Sequence, residues 1–175
     1  MTPPARVHIA RVALGACLAA CAGSVVPAAP QPSERDALLV LPGFGYNRDA
    51  QQMFRVVAPA LASDGFDLFV PNYVERGGLH ESADELRKFL REYGLERYER
   101  LHVFAFIAGA WTLNPILAQE RLPNLVTIIY DRSPMQERAP RIAADKFRLL
   151  AWVRYGRPVL DMASSRHAMS SQTCS

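Results

Sequence analysis

Cysteine is scarce in this chain: there are three, and two of them, Cys17 and Cys21, fall within the first 21 residues. With Cys174 as the remaining one, no internal disulfide framework is available. Histidine is nearly as sparse, at positions 8, 80, 102 and 167. Neither residue type clusters at metal-ligand spacing, so no metal site is expected. There is no phosphate-cradling G-x-x-x-x-G-K-[ST] loop, and "LPGFG" (41–45) lacks the spacing of a dinucleotide fingerprint, so no cofactor is expected either. A clustered basic face is missing too. Setting residues 1–20 aside removes Arg6 and Arg11 and no acid, so the formal charge of +3 becomes +1. That balance gives no support for nucleic-acid binding. Stretches such as "ERGGLHESADELRK" (75–88) mix both signs and read as solvated faces.

What the N-terminus does have is a targeting pattern. Arg6 and Arg11 form a basic start, and "VALGACLAA" (12–20) is an apolar core too short to span a bilayer. Residues 1–20 are therefore expected to be a signal peptide. "LAAC" (18–21) resembles the bacterial lipobox, which implies lipid on Cys21; "LGAC" (14–17) offers Cys17 as the alternative, with a very short apolar core. An ordinary secretory signal is the other reading. The lipobox resemblance implies a cell-envelope protein held to a membrane by its N-terminal lipid. Ala22, where inner-membrane retention would use Asp, prefers the outer membrane; without lipid the chain would be secreted or periplasmic. Residues 21–36, rich in Ala, Pro and Ser, read as a flexible tether.

From residue 37 the pattern alternates. "ALLVL" (37–41) is a short buried strand closed by Pro42 and Gly43. A helix follows over 48–65, with Met53, Phe54, Val57 and Leu61 as its apolar stripe and Pro59 kinking or dividing it. "FDLFVPNY" (66–73) is a second strand. Ser82 and Glu85 form a capping box for a helix whose stripe is Leu86, Phe89, Leu90 and Tyr93, ended by Gly94. "RLHVFAF" (100–106) is the third strand, followed by a helix to about Gln119, and "LVTIIY" (125–130) is the fourth. A weaker helical stretch covers 138–153. The expected domain is 37–160, an α/β unit of about four parallel strands with helices on both faces, followed by a disordered tail over 161–175.

The tightest local pattern is "LHVFAFIAGAWTL" (101–113), a strand running through small residues into a helix. Ala105, Ala108, Gly109 and Ala110 let strand and helix backbones approach. "AFIAG" (105–109) resembles the G-x-S-x-G nucleophile elbow of the α/β-hydrolases, with Ala for the first Gly and Ile107 for the Ser. Other segments agree in order and spacing. "LLVLPGFGYN" (38–47) resembles the strand and oxyanion loop, and "ALASDGFDLFVPNY" (60–73) the next helix end and strand. "IIYDRSPMQERAPRIA" (128–143) is similar to a strand and loop of small bacterial lipases, with Ser133–Pro134 in a Thr-Pro place and Met135 and Glu137 departing from His and Gly. "RPVLDMA" (157–163) is similar to a later segment. The resemblance covers roughly residues 37–163 and implies an incomplete α/β-hydrolase fold.

Acyl transfer on that fold needs a nucleophile, a base oriented by an acid, and two backbone N–H donors. The resemblance places the donors at Phe44, following Gly43, and at Ala108. At the nucleophile position, Ile107 has nothing to deprotonate, and its branched side chain suits a relaxed turn packed against apolar neighbours. Asp131 and Asp161 are the acid candidates, with turn roles as the alternative. Ser63, Ser82 and Ser133 are the other hydroxyls considered as nucleophile, and His102 and His167 the imidazoles. The resemblance thus implies a non-catalytic, lipase-like lipoprotein with an apolar cleft near Phe44, Tyr46, Ile107 and Met135, suited to an acyl group or a partner. An active ester hydrolase with an unorthodox nucleophile, and a truncated gene product without stable function, are the competing classes.

Overall fold

A computed structural model describes residues 23–131 and 138–164. Residues 1–22 with Cys17 and Cys21, residues 132–137 with Ser133 and Met135, and residues 165–175 with His167 lie outside the described residues. Four strands form one parallel sheet: β1 (Asp36–Leu41), β2 (Phe66–Phe69), β3 (Leu101–Phe106) and β4 (Leu125–Asp131), in the order β2-β1-β3-β4. The chain is thus α/β, as the alternation predicts. Five helices accompany the sheet among the described residues: α1 (Arg48–Ser63), α2 (Leu79–Glu92), α3 (Ile107–Gln119), α4 (Arg138–Tyr155) and α5 (Pro158–Ser164).

Alternation along each strand divides the side chains between two faces. Ala37, Leu39, Leu41, Phe69, Leu101, Val103 and Ala105 are fully buried against Leu86, Phe89 and Leu90 of α2 and Leu113 and Ile116 of α3. Burying a Leu or Phe completely contributes about 1.5–3 kcal/mol, so this side carries most of the stability. On the other face Val40, Leu68 and Val70 meet Phe54, Ala58 and Leu61 of α1. That contact is thinner: α1 has no fully buried residue. Of the expected α1 stripe, Phe54 and Leu61 face the sheet, while Met53 and Val57 are exposed. The α1 helix starts on Asn47, whose side chain accepts the Ala50 N–H at 3.0 Å, and it runs undivided through Pro59. Pro59 and Arg55 are both exposed, so solvent can satisfy the carbonyl that the proline leaves without its donor.

Three expectations need correction. Residues 23–35 are not a free tether. Val25 pairs antiparallel with Val70 and is buried, and the Gln31 N–H and Arg35 Nη1 donate to the Asp67 carboxylate at 2.7 and 3.1 Å. The Tyr98 hydroxyl donates to the same buried carboxylate at 2.7 Å, so three donors offset the cost of taking that charge out of water. Second, Ser82 is not a cap. Helix α2 begins a turn earlier, at Leu79, and the Ser82 hydroxyl donates back to the Gly78 carbonyl at 2.7 Å while accepting the Glu75 N–H at 2.9 Å. Third, the fold continues past residue 160, since α5 runs to Ser164 with Met162 fully buried.

Candidate functional site

Sheet order alone locates a topological switch point. From β1 the chain crosses to β2 on one side, and from β3 it crosses to β4 on the other. The loops leaving the carboxyl ends of β1 and β3 therefore diverge, and such a switch point is where open α/β sheets place their ligands. The two loops here are 42–47 and the turn at 106–110.

At the turn, Phe106 is extended (φ −83°, ψ 160°) and α3 starts at Ile107, with no capping hydrogen bond from the Phe106 side chain. Ala105, Ala108, Gly109 and Ala110 are all buried. Gly109 explains the need for small residues most sharply. A Cβ there would stand 2.7 Å from Leu41 Cβ, 2.8 Å from the Leu41 carbonyl and 3.2 Å from the Tyr73 hydroxyl. Helix α3 thus rests directly on the end of β1. Gly43 leans over the tip: a Cβ on it would lie 3.6 Å from Phe106 Cβ, 3.7 Å from Ile107 Cβ and 3.8 Å from the Ala108 nitrogen. Gly43, Ile107 and Ala108 are therefore brought together at the switch point.

Other residues singled out in the sequence disperse. Phe44 turns toward α4, its ring centroid 5.3 Å from that of Tyr155, whereas Tyr46 turns toward α1, 6.5 Å from Phe54, and donates to the Gly23 carbonyl at 3.0 Å. Asp131 ends β4 in register with Phe106, beside the turn. Asp161 lies on α5, where its Oδ2 accepts the Leu79 N–H at 3.0 Å and its Oδ1 is 3.4 Å from Arg157 Nε. It thereby caps α2, the role that the sequence pattern assigned to Ser82. His102 sits near the start of β3, edge-on to Phe66 and 3.6 Å from Asp36, roughly 16 Å along the strand from Ile107. His80 is exposed on α2, 3.8 Å from Asp84. The Ser63 hydroxyl donates to the Pro59 carbonyl at 3.0 Å. Neither described imidazole approaches a described serine through a hydrogen bond.

Two residues that no motif marks are buried near the switch point. Tyr73, fully buried just beyond β2, donates its hydroxyl to the Pro42 carbonyl at 2.8 Å and so pins the loop after β1. Burial pushes its phenol well above the usual tyrosine range. Trp111 lies one helical turn past Ile107, and its buried indole N–H has no partner among the described residues. Nothing in a local pattern signals the contact between Tyr73 and Pro42. A cleft of about 180 Å³, lined by Leu90, Leu95, Leu101 and Leu122 with Arg87 and Asn124, opens at the opposite end of the sheet. Arg87 is already engaged there with Asp84 and Glu120, each at 2.9 Å.

No protein-family model matches the chain, and no curated protein matches it in sequence. Solved structures similar to it include esterase Pf2001 of Pyrococcus furiosus, at 18% identity over 75% of this chain and 58% of that one, TM-score 0.45. Esterase B of Lactobacillus rhamnosis, inhibited by a tributyrin phosphonate, is 14% identical over 77% of this chain and 47% of its own, TM-score 0.46. A CIB-like hydrolase of Thermoplasma acidophilum is 17% identical over 58% of this chain and 53% of its own, TM-score 0.42. The chain thus spans about half the length of these proteins.

Proposed function

We propose that this chain keeps the framework of an ester hydrolase without its acyl-transfer chemistry, and that its switch-point crevice holds an acyl group, another small apolar ligand or a partner. The observation that carries this reading is Ile107. It opens α3 at the β3–α3 turn, where a Cβ on Gly43 would lie 3.7 Å from the Ile107 Cβ; an ester hydrolase would carry its acylatable oxygen at such a tip. A hydrocarbon there can neither be deprotonated nor attack a carbonyl. Phe106, at the N-cap of α3, supplies no side-chain acceptor, which suits the first N–H groups of the helix to a ligand oxygen at its positive end. Ile107 beside them offers apolar contact. Binding without turnover follows from that combination. In the same reading, lipid on Cys21 holds the protein at the cell envelope.

The test is incubation of the purified full chain with a fluorophosphonate probe and with a short p-nitrophenyl ester. Mass spectrometry should find no labelled serine, and ester turnover should stay at the buffer rate. Stoichiometric labelling of one serine, with probe-sensitive turnover, would overturn the reading in favour of an active ester hydrolase.

A further inference from the structure

The last part of helix α4, residues 147–155, leaves its large apolar side chains in water. Phe147, Leu149, Leu150, Trp152, Val153 and Tyr155 are all exposed, Leu149 at 74% and Leu150 at 67%, while Ala151 alone among residues 147–155 is buried. The charge on the same segment has one sign. Residues 146–155 contain Lys146, Arg148 and Arg154 and no acid; beyond them, Arg157 pairs with Asp161 of α5 at 3.4 Å. Arg76, from the loop before α2, adds a further guanidinium by donating to the Val153 carbonyl at 3.0 Å. Elsewhere on the surface the pattern differs: on α2, Arg87 and Lys88 both face carboxylates.

We infer that α4 is a docking face for an anionic lipid surface, lying in the plane of the headgroups. Hydrocarbon and indole side chains enter the acyl boundary, and the long aliphatic stems of Arg148 and Arg154 let their charged ends reach phosphate. Spanning is excluded by length. The backbone breaks at Phe147 (φ −134°, ψ 32°), which leaves eight regular residues, about 12 Å of helix against about 30 Å of hydrocarbon. A second copy of the chain fits poorly as the occupant. A two-fold contact sets the same patch against itself, bringing Arg148 and Arg154 against their own copies. An anionic bilayer supplies the complementary charge over its whole surface. The face ends at Tyr155, packed on Phe44, so docking sets the loop of the switch-point crevice beside the bilayer. The inference stands whether or not the crevice binds an acyl group.

The chain has two tryptophans, Trp111 buried and Trp152 half-exposed, so Trp152 reports on docking. The full chain, made without lipid modification through Cys17→Ser and Cys21→Ser, is mixed with brominated phosphatidylglycerol or brominated phosphatidylcholine vesicles. Expected is tryptophan quenching on phosphatidylglycerol alone. It should be lost in Trp152→Phe, be weakened by salt, and need roughly 25-fold more lipid in Arg148→Gln/Arg154→Gln. Both arginines are exposed, and thermal unfolding of that variant should match the parent. Residues 6–20 carry their own basic and apolar pattern, but their insertion would not quench Trp152. Unquenched Trp152 on bound protein overturns the inference, as does equal quenching by both lipids. So does a concentration-dependent dimer that shields Trp152 without vesicles, which would make a second copy the occupant.

Discussion

Gly109 and Leu41 are in backbone contact: a Cβ on the glycine would overlap Leu41 Cβ at 2.7 Å and the Leu41 carbonyl at 2.8 Å. The carbonyl belongs to β1, which is hydrogen-bonded on both sides in the sheet and cannot retreat. Gly109→Ala gains about 1 kcal/mol of helix propensity but overpacks this contact by more. A net loss of about 2 kcal/mol is expected in urea unfolding. Unchanged or raised stability would show that α3 can lift off the strand.

Placing an oxygen at the turn should not create acyl-transfer chemistry. Ile107→Ser supplies a hydroxyl beside the α3 N-terminus, but His102 lies near the far end of β3 and His80 faces Asp84. With neither described imidazole in reach, the serine stays protonated and weakly nucleophilic. Turnover of p-nitrophenyl butyrate by this variant should equal that of the parent chain. Probe-sensitive hydrolysis would mean that an imidazole reaches the turn after all.

Asp67 ties the N-terminal segment to the sheet. Its buried carboxylate accepts from Gln31, Arg35 and Tyr98. Asp67→Ala leaves a half-buried guanidinium, an amide and a buried hydroxyl without their acceptor. We expect a loss of about 3 kcal/mol. Limited proteolysis should then cut within 23–35 while the sheet persists, and resistance there would show that Val25 alone holds the segment.

Alkali should unfold the protein. Burial raises the pKa of Tyr73, and burial followed by the hydrogen bond and charge of Asp67 raises that of Tyr98. Between the unfolded value of about 10 and the higher folded ones, the native state keeps protons that the unfolded state has lost. Their stabilisation is complete below about pH 10 and falls above it by about 1.4 kcal/mol per pH unit for each tyrosine. Denaturant midpoints measured across that range should decline steeply, and Tyr98→Phe should make the decline shallower. A flat profile would mean that one or both phenols ionise freely in the folded chain.

The sequence by itself determined the succession of strands and helices, because apolar runs and stripes with glycine stops are local properties. It also determined the character of the crevice tip: small residues at 105 and 108–110 and a hydrocarbon at 107 stand together within one turn. Only the tertiary structure decided which groups meet across the chain. Asp161 caps a helix that begins 82 residues before it, Asp67 accepts from an amide 36 residues away, and the Tyr73 hydroxyl meets Pro42. Ser82 follows the same rule, having the right spacing for a cap but surrendering that place to a carboxylate from α5. Backbone periodicity carries no record of such partners. A hydrogen bond or ring contact between distant residues is chosen by where packing of the sheet leaves a donor beside an acceptor, and that choice exists only once the layers have closed.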